Sequence, residues 1–91
     1  MKLSSGPRKT LLAIFEDPVR SNVPWNGVEK LFLALGAEVS EGRGSRVRVA
    51  LAGVRAIFHR PHPQRETDRG ALRSVRRFLI AARATPEDLD A

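Results

Sequence analysis

The sequence predicts an α+β domain in which helices cover one face of a three-stranded antiparallel sheet. Apolar residues recur at helical spacing over residues 28–35 and again over 72–82. Between them, Arg46–Leu51 and Val54–Phe58 show the period of two expected of half-buried strands. Ala52-Gly53 separates these two runs and has the makings of a tight hairpin turn. A chain of 91 residues has room for one hydrophobic core.

In chain order, residues 1–7 are expected to form a flexible tail, followed by a single domain over 8–91. Pro7 can open a short helix with Leu11, Leu12, Ile14 and Phe15 on its apolar side, and Pro18 stops it. Residues 17–23 are a connector. A second helix carries Val28, Leu31, Phe32 and Leu35, with Asn26 a candidate cap and Gly36 at its C-terminal end. Trp25, just before it, is expected to plug the core. Ala37–Ser40 is a weak first strand, broken by Gly42 and Gly44. With a two-residue loop, Leu51 faces Val54, Val49 faces Ala56 and Val47 faces Phe58, all apolar. The other face then pairs Ala50 with Arg55, Arg48 with Ile57, and Arg46 with His59. One face is core; the other carries three arginines and a histidine.

Pro61 and Pro63 end the third strand. Thr67 or Asp68 can cap a last helix running to about Ala84. Leu72, Val75, Phe78, Leu79 and Ala82 form its buried stripe, with Arg69, Arg73, Arg76, Arg77 and Arg83 mainly on the other side. The sequence does not decide whether this arginine face meets only solvent or a partner. Without the first short helix, the order is α-β-β-β-α. That is the order of double-stranded-RNA-binding domains, although order alone says nothing of activity.

The net charge is +6 and it is unevenly placed. Residues 1–42 hold five basic and five acidic side chains, whereas residues 43–91 hold eleven arginines and five acids. A high-GC genome accounts for arginine replacing lysine but not for the concentration in one half. Arginine presents a planar fork that fits phosphate and stacks on bases. Such a surface meets nucleic acid, an anionic membrane or an acidic protein. No apolar run is long enough to span a bilayer, and the N-terminus lacks the apolar block of a secretory signal. Cysteine is absent, which removes disulfides and thiolate metal sites and fits a reducing compartment. The expected location is cytoplasmic, without membrane association.

Several chemistries find no support. Gly42-Arg-Gly44 is too short for a nucleotide-binding loop. There is no carboxylate cluster of the metal-nuclease kind, and His59 and His62 with scattered acids do not make a metal site. No cofactor is expected. Metal-free phosphoryl chemistry remains, because RNA supplies its own nucleophile in the 2′-hydroxyl. A base, an acid and cations around the phosphate suffice to cleave it. His59 and His62, the only histidines, are candidates for the two proton roles. The alternative is that one packs a strand end and the other serves a turn. Ser45, Arg46, Arg48, Arg55 and Arg60 are the candidate phosphate-binding set, with Ser45 orienting the backbone.

From about residue 9 to 89 the chain resembles the HicA toxins of HicA–HicB toxin–antitoxin systems. The resemblance rests on Lys9-Thr-Leu with Ile14-Phe15, Trp25 with Val28-Glu29-Lys30-Leu31, and Leu35-Gly-Ala-Glu-Val39. It continues through Glu41-Gly-Arg-Gly-Ser45, Phe58-His-Arg-Pro-His-Pro63 and Gly70-Ala-Leu-Arg-Ser-Val75. It implies a fold like a double-stranded-RNA-binding domain. It also implies a metal-independent endoribonuclease that cleaves mRNA and arrests translation, and a HicB-like antitoxin that covers the active face. One position departs from the family. Many HicA toxins carry Gly-Ser/Thr-His at the start of the second strand, and that histidine is catalytic. Here the residues are Gly44-Ser45-Arg46, and arginine cannot act as a base because it stays protonated. His62 matches a histidine many members carry; His59 has no counterpart in the shorter members. The pairing of Arg46 with His59 suggests that the imidazole has moved to the neighbouring strand. The alternative is an RNA-binding or antitoxin-binding domain that has lost catalysis.

Overall fold

The computed structural model describes residues 3–61 and 66–89. Its elements are α1 (Ser5–Ile14), β1 (Val23–Pro24), α2 (Trp25–Ala34), β2 (Glu38–Glu41), β3 (Arg46–Leu51), β4 (Val54–His59), β5 (Glu66–Thr67) and α3 (Arg69–Ala81). β2, β3 and β4 form an antiparallel meander in that order. α2 packs against β2, α3 against β4, and α1 against both other helices. This is the α+β arrangement of double-stranded-RNA-binding domains, preceded by one further helix.

The hairpin has the expected register, from Leu51 facing Val54 to Arg46 facing His59. Ala52 and Gly53 have φ of 52° and 80°. Two consecutive positive values make a type I′ turn, whose twist matches that of the flanking strands. Val47, Val49 and Phe58 are buried, as are the stripes of α2 and α3. Phe58 lies at the centre of an aromatic cluster: its ring centroid is 5.6 Å from Phe32, 5.7 Å from Phe78 and 6.0 Å from Trp25. Offset and edge-on pairs at such distances add to the burial energy. Trp25 is thus a core residue, as expected.

Several boundaries differ from the sequence reading. α1 begins at Ser5, inside the stretch read as a tail, and Pro7 sits in its first turn, where no intrahelical N–H is needed. Leu12 is exposed: it is one step of about 100° round the helix from buried Leu11. Asn26 is not the cap of α2; Pro24 holds that position. The first strand starts at Glu38 rather than Ala37 and runs on to Glu41. Val23 and Pro24 pair with Thr67 and Glu66 in a two-stranded ribbon that the sequence reading missed.

Asp68 caps α3, its Oδ1 accepting from the Ala71 N–H at 2.7 Å. The helix ends at Ala81 rather than Ala84. Arg83 turns left-handed at φ 57°, and the Ala84 N–H donates to Leu79 O at 2.8 Å, closing a Schellman cap.

Ala52 adopts a left-handed conformation that alanine disfavours and asparagine tolerates. Ala52→Asn is therefore expected to raise stability by about 0.5–1 kcal/mol, read as a higher urea midpoint at unchanged slope.

Candidate functional site

The alternation that buries Val47, Val49 and Phe58 presents their neighbours on the opposite face of the sheet, and the registers arrange these neighbours in rows. The first row is Arg46 and His59, the second Ser40, Arg48 and Ile57, the third Glu38, Ala50 and Arg55. Successive rows are about 7 Å apart, two residues along a strand. Arg46, Arg48, Arg55 and His59 are all exposed. An open depression of about 560 Å³ lies over the second and third rows, lined in part by Glu38, Ser40, Arg48, Arg55 and Ile57.

Arg46 and His59 are directly opposite on adjacent strands. Beyond them, the Arg60 N–H donates to Ser45 O at 2.9 Å, so the ladder continues past the pair. Hydrogen-bonded and open pairs alternate along an antiparallel ladder, which makes 46/59 an open pair with Cα atoms about 4.5 Å apart. Open pairs bring side chains closest. The turn leading into Arg46 depends on Gly42, whose N–H donates to Arg46 O at 2.9 Å. A Cβ on Gly42 would stand 3.1 Å from the Arg46 Cβ, so a side chain there would press on the strand bearing Arg46.

The structure brings together only part of the expected set. Arg46 and His59 share a row, and Arg48 is one row away. Arg55 is two rows from His59, about 14 Å along β4. Ser45 is exposed beside Arg46 in the turn. His62 lies outside the described residues.

Arg60 is placed elsewhere, and parity is the reason: the period of two that exposes His59 turns Arg60 to the helical side. There its Nε donates to Glu29 Oε2 at 2.7 Å and its Nη2 to Glu29 Oε1 at 3.1 Å. Nη1 and Nη2 also donate to Glu41 at 2.6 and 2.8 Å. Two carboxylates thus take up most of a fork that the sequence reading assigned to phosphate. The Trp25 Nε1–H donates to the same Glu29 carboxylate. This clamp ties α2, the end of β2 and the residue after His59 into one unit.

Hydrogen bonds from Arg60 hold the Glu29 carboxyl below its ordinary value of 4.5, against the opposing effect of partial burial. The Glu41 carboxyl is lowered by Arg60 as well, and the guanidinium is raised in turn. Glu29 is 21% exposed and Glu41 70% exposed, so solvent screens the Glu41 half more. Sequence reading missed the roles of Glu29 and Glu41, whose partner is 31 and 19 residues away. It also missed Glu38 and Ser40 on the outer face, where extending the strand pairing to β2 would have placed them; Ile57 stands across from Arg48 as expected.

Both clamp carboxyls titrate lower in the folded protein than in the unfolded chain. Their contribution is therefore complete above about 4.5 and is lost as pH falls through the lowered folded values. Glu29→Gln should cost about 1–2 kcal/mol at neutral pH. It should also flatten the acid dependence of stability, as urea unfolding at neutral and acid pH would reveal.

Among the described residues, no helix is long and apolar enough to cross a membrane. No curated protein and no solved structure matches the chain significantly. A family model described as HicA toxin of bacterial toxin-antitoxin does match, over residues 25–82. That span runs from the first residue of α2 through the cap of α3 and contains every strand of the meander. With well over half of its length covered and the architecture expected of such toxins, the chain belongs to the HicA toxin family.

Proposed function

We propose that this toxin is a metal-independent endoribonuclease that cleaves single-stranded mRNA on the exposed face of its sheet and so blocks translation. The observation that carries the reading is the open pair of Arg46 and His59. It sets an exposed imidazole across from a permanent cation, with Arg48 one row away.

His59 takes the proton of a ribose 2′-hydroxyl. The freed oxygen attacks the adjacent phosphorus, the bond to the 5′-oxygen breaks, and the leaving oxygen receives a proton. The products are a cyclic phosphate and a 5′-hydroxyl. Arg46 and Arg48 neutralise the charge that grows on the phosphate as the new bond forms. Arg55, two rows along β4, holds a neighbouring phosphate of the same strand, and Ser45 fixes the backbone of the turn before Arg46. Ile57, 60% exposed, offers an apolar seat for a base in the row between. His62 is the sequence's candidate for the acid. Arg60 is left out of this set, since Glu29 and Glu41 hold its guanidinium.

A toxin of this family has a cognate antitoxin. We assign it to the HicB type, seated over the arginine-rich sheet face and thereby excluding RNA. An mRNA substrate places the protein in the cytoplasm.

The competing reading, an RNA- or antitoxin-binding domain without catalysis, is favoured by Arg46, which stands where a base is usual and cannot act as one. Labelled RNA separates the two. Wild-type protein should cleave it without added metal. His59→Ala should lose at least about 100-fold in rate, the usual scale of general acid–base catalysis. Equal cleavage by both proteins would remove His59 from the mechanism, and no cleavage by wild type would favour the binding domain.

A further inference from the structure

Five arginines of α3 and its cap lie away from the core stripe, and the structure gives them different work. Arg76 is spent internally: its Nε and Nη2 donate to Ile14 O at 3.1 and 2.8 Å, and Nη2 also reaches Glu16 O at 2.8 Å. Its Nη1 meets Asp17 at 3.2 Å and its guanidinium lies 5.5 Å from the Phe15 ring centre. Arg83 occupies the left-handed cap position. Arg69, Arg73 and Arg77 remain, and all three are exposed.

These three fall four residues apart, so they form one stripe with steps of about 6 Å along the helix. Among the described residues none of them makes a salt bridge; Arg77 has one hydrogen bond, to the Ser74 hydroxyl at 3.0 Å. α3 itself contains no acid. The neighbouring Asp68 uses its carboxylate on the Ala71 N–H.

The stripe acts against the stability of its own helix. Like charges four apart repel, and Arg69 opens the helix at the positive end of its dipole. A surface chosen for stability alone would interleave glutamate. Gly70 and Ser74 lie between the arginines, and Ile80, beyond the last of them, is the one exposed large hydrophobic of α3 among the described residues. A protein interface usually has an apolar centre with charge at its rim. A row of planar forks with no apolar centre suits a phosphate backbone better.

We propose that Arg69, Arg73 and Arg77 form a second RNA-binding surface that grips the phosphodiester backbone outside the cleavage site. The proposal rests on the reading above that RNA is the substrate. α3 packs behind β4, the edge strand that bears Arg55 and His59. The molecule is 20 Å across its shortest axis, so a strand of several nucleotides can pass round that edge and engage both surfaces. A trinucleotide can occupy only one.

The test uses the full chain and non-cleavable 2′-O-methyl RNA of 3 and 20 nucleotides, with affinity measured across a salt series. The triple variant Arg69→Gln, Arg73→Gln, Arg77→Gln should bind the 20-mer at least about 10-fold more weakly at low salt. Its slope of log affinity against log salt should be shallower by about 2, three phosphate contacts at roughly 0.7 each. Trinucleotide binding should be unchanged, and circular dichroism should show a helix at least as stable as the original. The matching triple lysine variant should keep the slope. Identical 20-mer affinity and slope in wild type and glutamine variant would overturn the stripe while leaving the sheet-face reading intact. Loss of antitoxin binding with RNA binding retained would overturn it in favour of a protein interface. A wild type that binds neither RNA would remove the substrate reading, and this proposal with it.

Discussion

The burial of Phe58 fixes the register of β4 against β3, and the outer face follows from that register. The Phe58 ring is held by Phe32 from α2, Phe78 from α3 and Trp25 at the start of α2. Side chains alternate along a strand, so a slip by one residue would bring Phe58 into water and turn His59 into the core. Re-exposing a ring of this size costs about 1.5–3 kcal/mol, and the same slip would carry the Arg55 guanidinium inward without a partner to meet its charge. The I′ turn at Ala52-Gly53 sets the same register from the other end. Core packing and turn geometry therefore specify together which residues look outward.

The same alternation divides the arginines between architecture and surface. Arg60 lies on the helical side, where Glu29 and Glu41 hold it. Arg20 pairs with Glu16, and Arg76 with Asp17. Four of the five acids in the charge-balanced first half thus engage arginines, two of them in the arginine-rich second half. The fifth, Glu38, lies on the outer face beside Ala50. Three of these acids join separate parts of the chain, and of the second-half arginines with no ion pair among the described residues, Arg46, Arg48 and Arg55 lie on the sheet face and Arg69, Arg73 and Arg77 on the outer side of α3. Arg60 is still close to the site in another sense. Its backbone bonds Ser45 and its side chain anchors the end of β2, so both strands that carry the Arg46–His59 pair are tied at the same end.

The hairpin was legible in the sequence because a strict period of two and a two-residue turn leave one register that buries every apolar partner. The stripes of α2 and α3 were legible for the same reason at the helical period. Arg60 was misplaced because it was grouped with its neighbours in sequence; continuing the alternation one residue past His59 would have turned it inward. The Glu29–Arg60–Glu41 clamp leaves no local signal, since its members come from three separate parts of the chain. The β1–β5 ribbon is two residues long and falls below any detectable period. Leu12 shows the limit of an apolar run in a short helix: Leu11 and Ile14 are buried while Leu12, between them in sequence, faces away. Within the outer face, Arg46 with His59 could be placed by pairing two strands, but Glu38 and Ser40 needed the register of a third strand.

Nuclear magnetic resonance with the 2′-O-methyl 20-mer addresses the outer face most directly, because it reads contact without requiring turnover. Added to labelled protein at low salt, the RNA should shift the imidazole resonances of His59 and the side-chain resonances of Arg46, Arg48 and Arg55 together, with one saturation curve. An imidazole that stays unmoved while RNA saturates the protein would contradict the account.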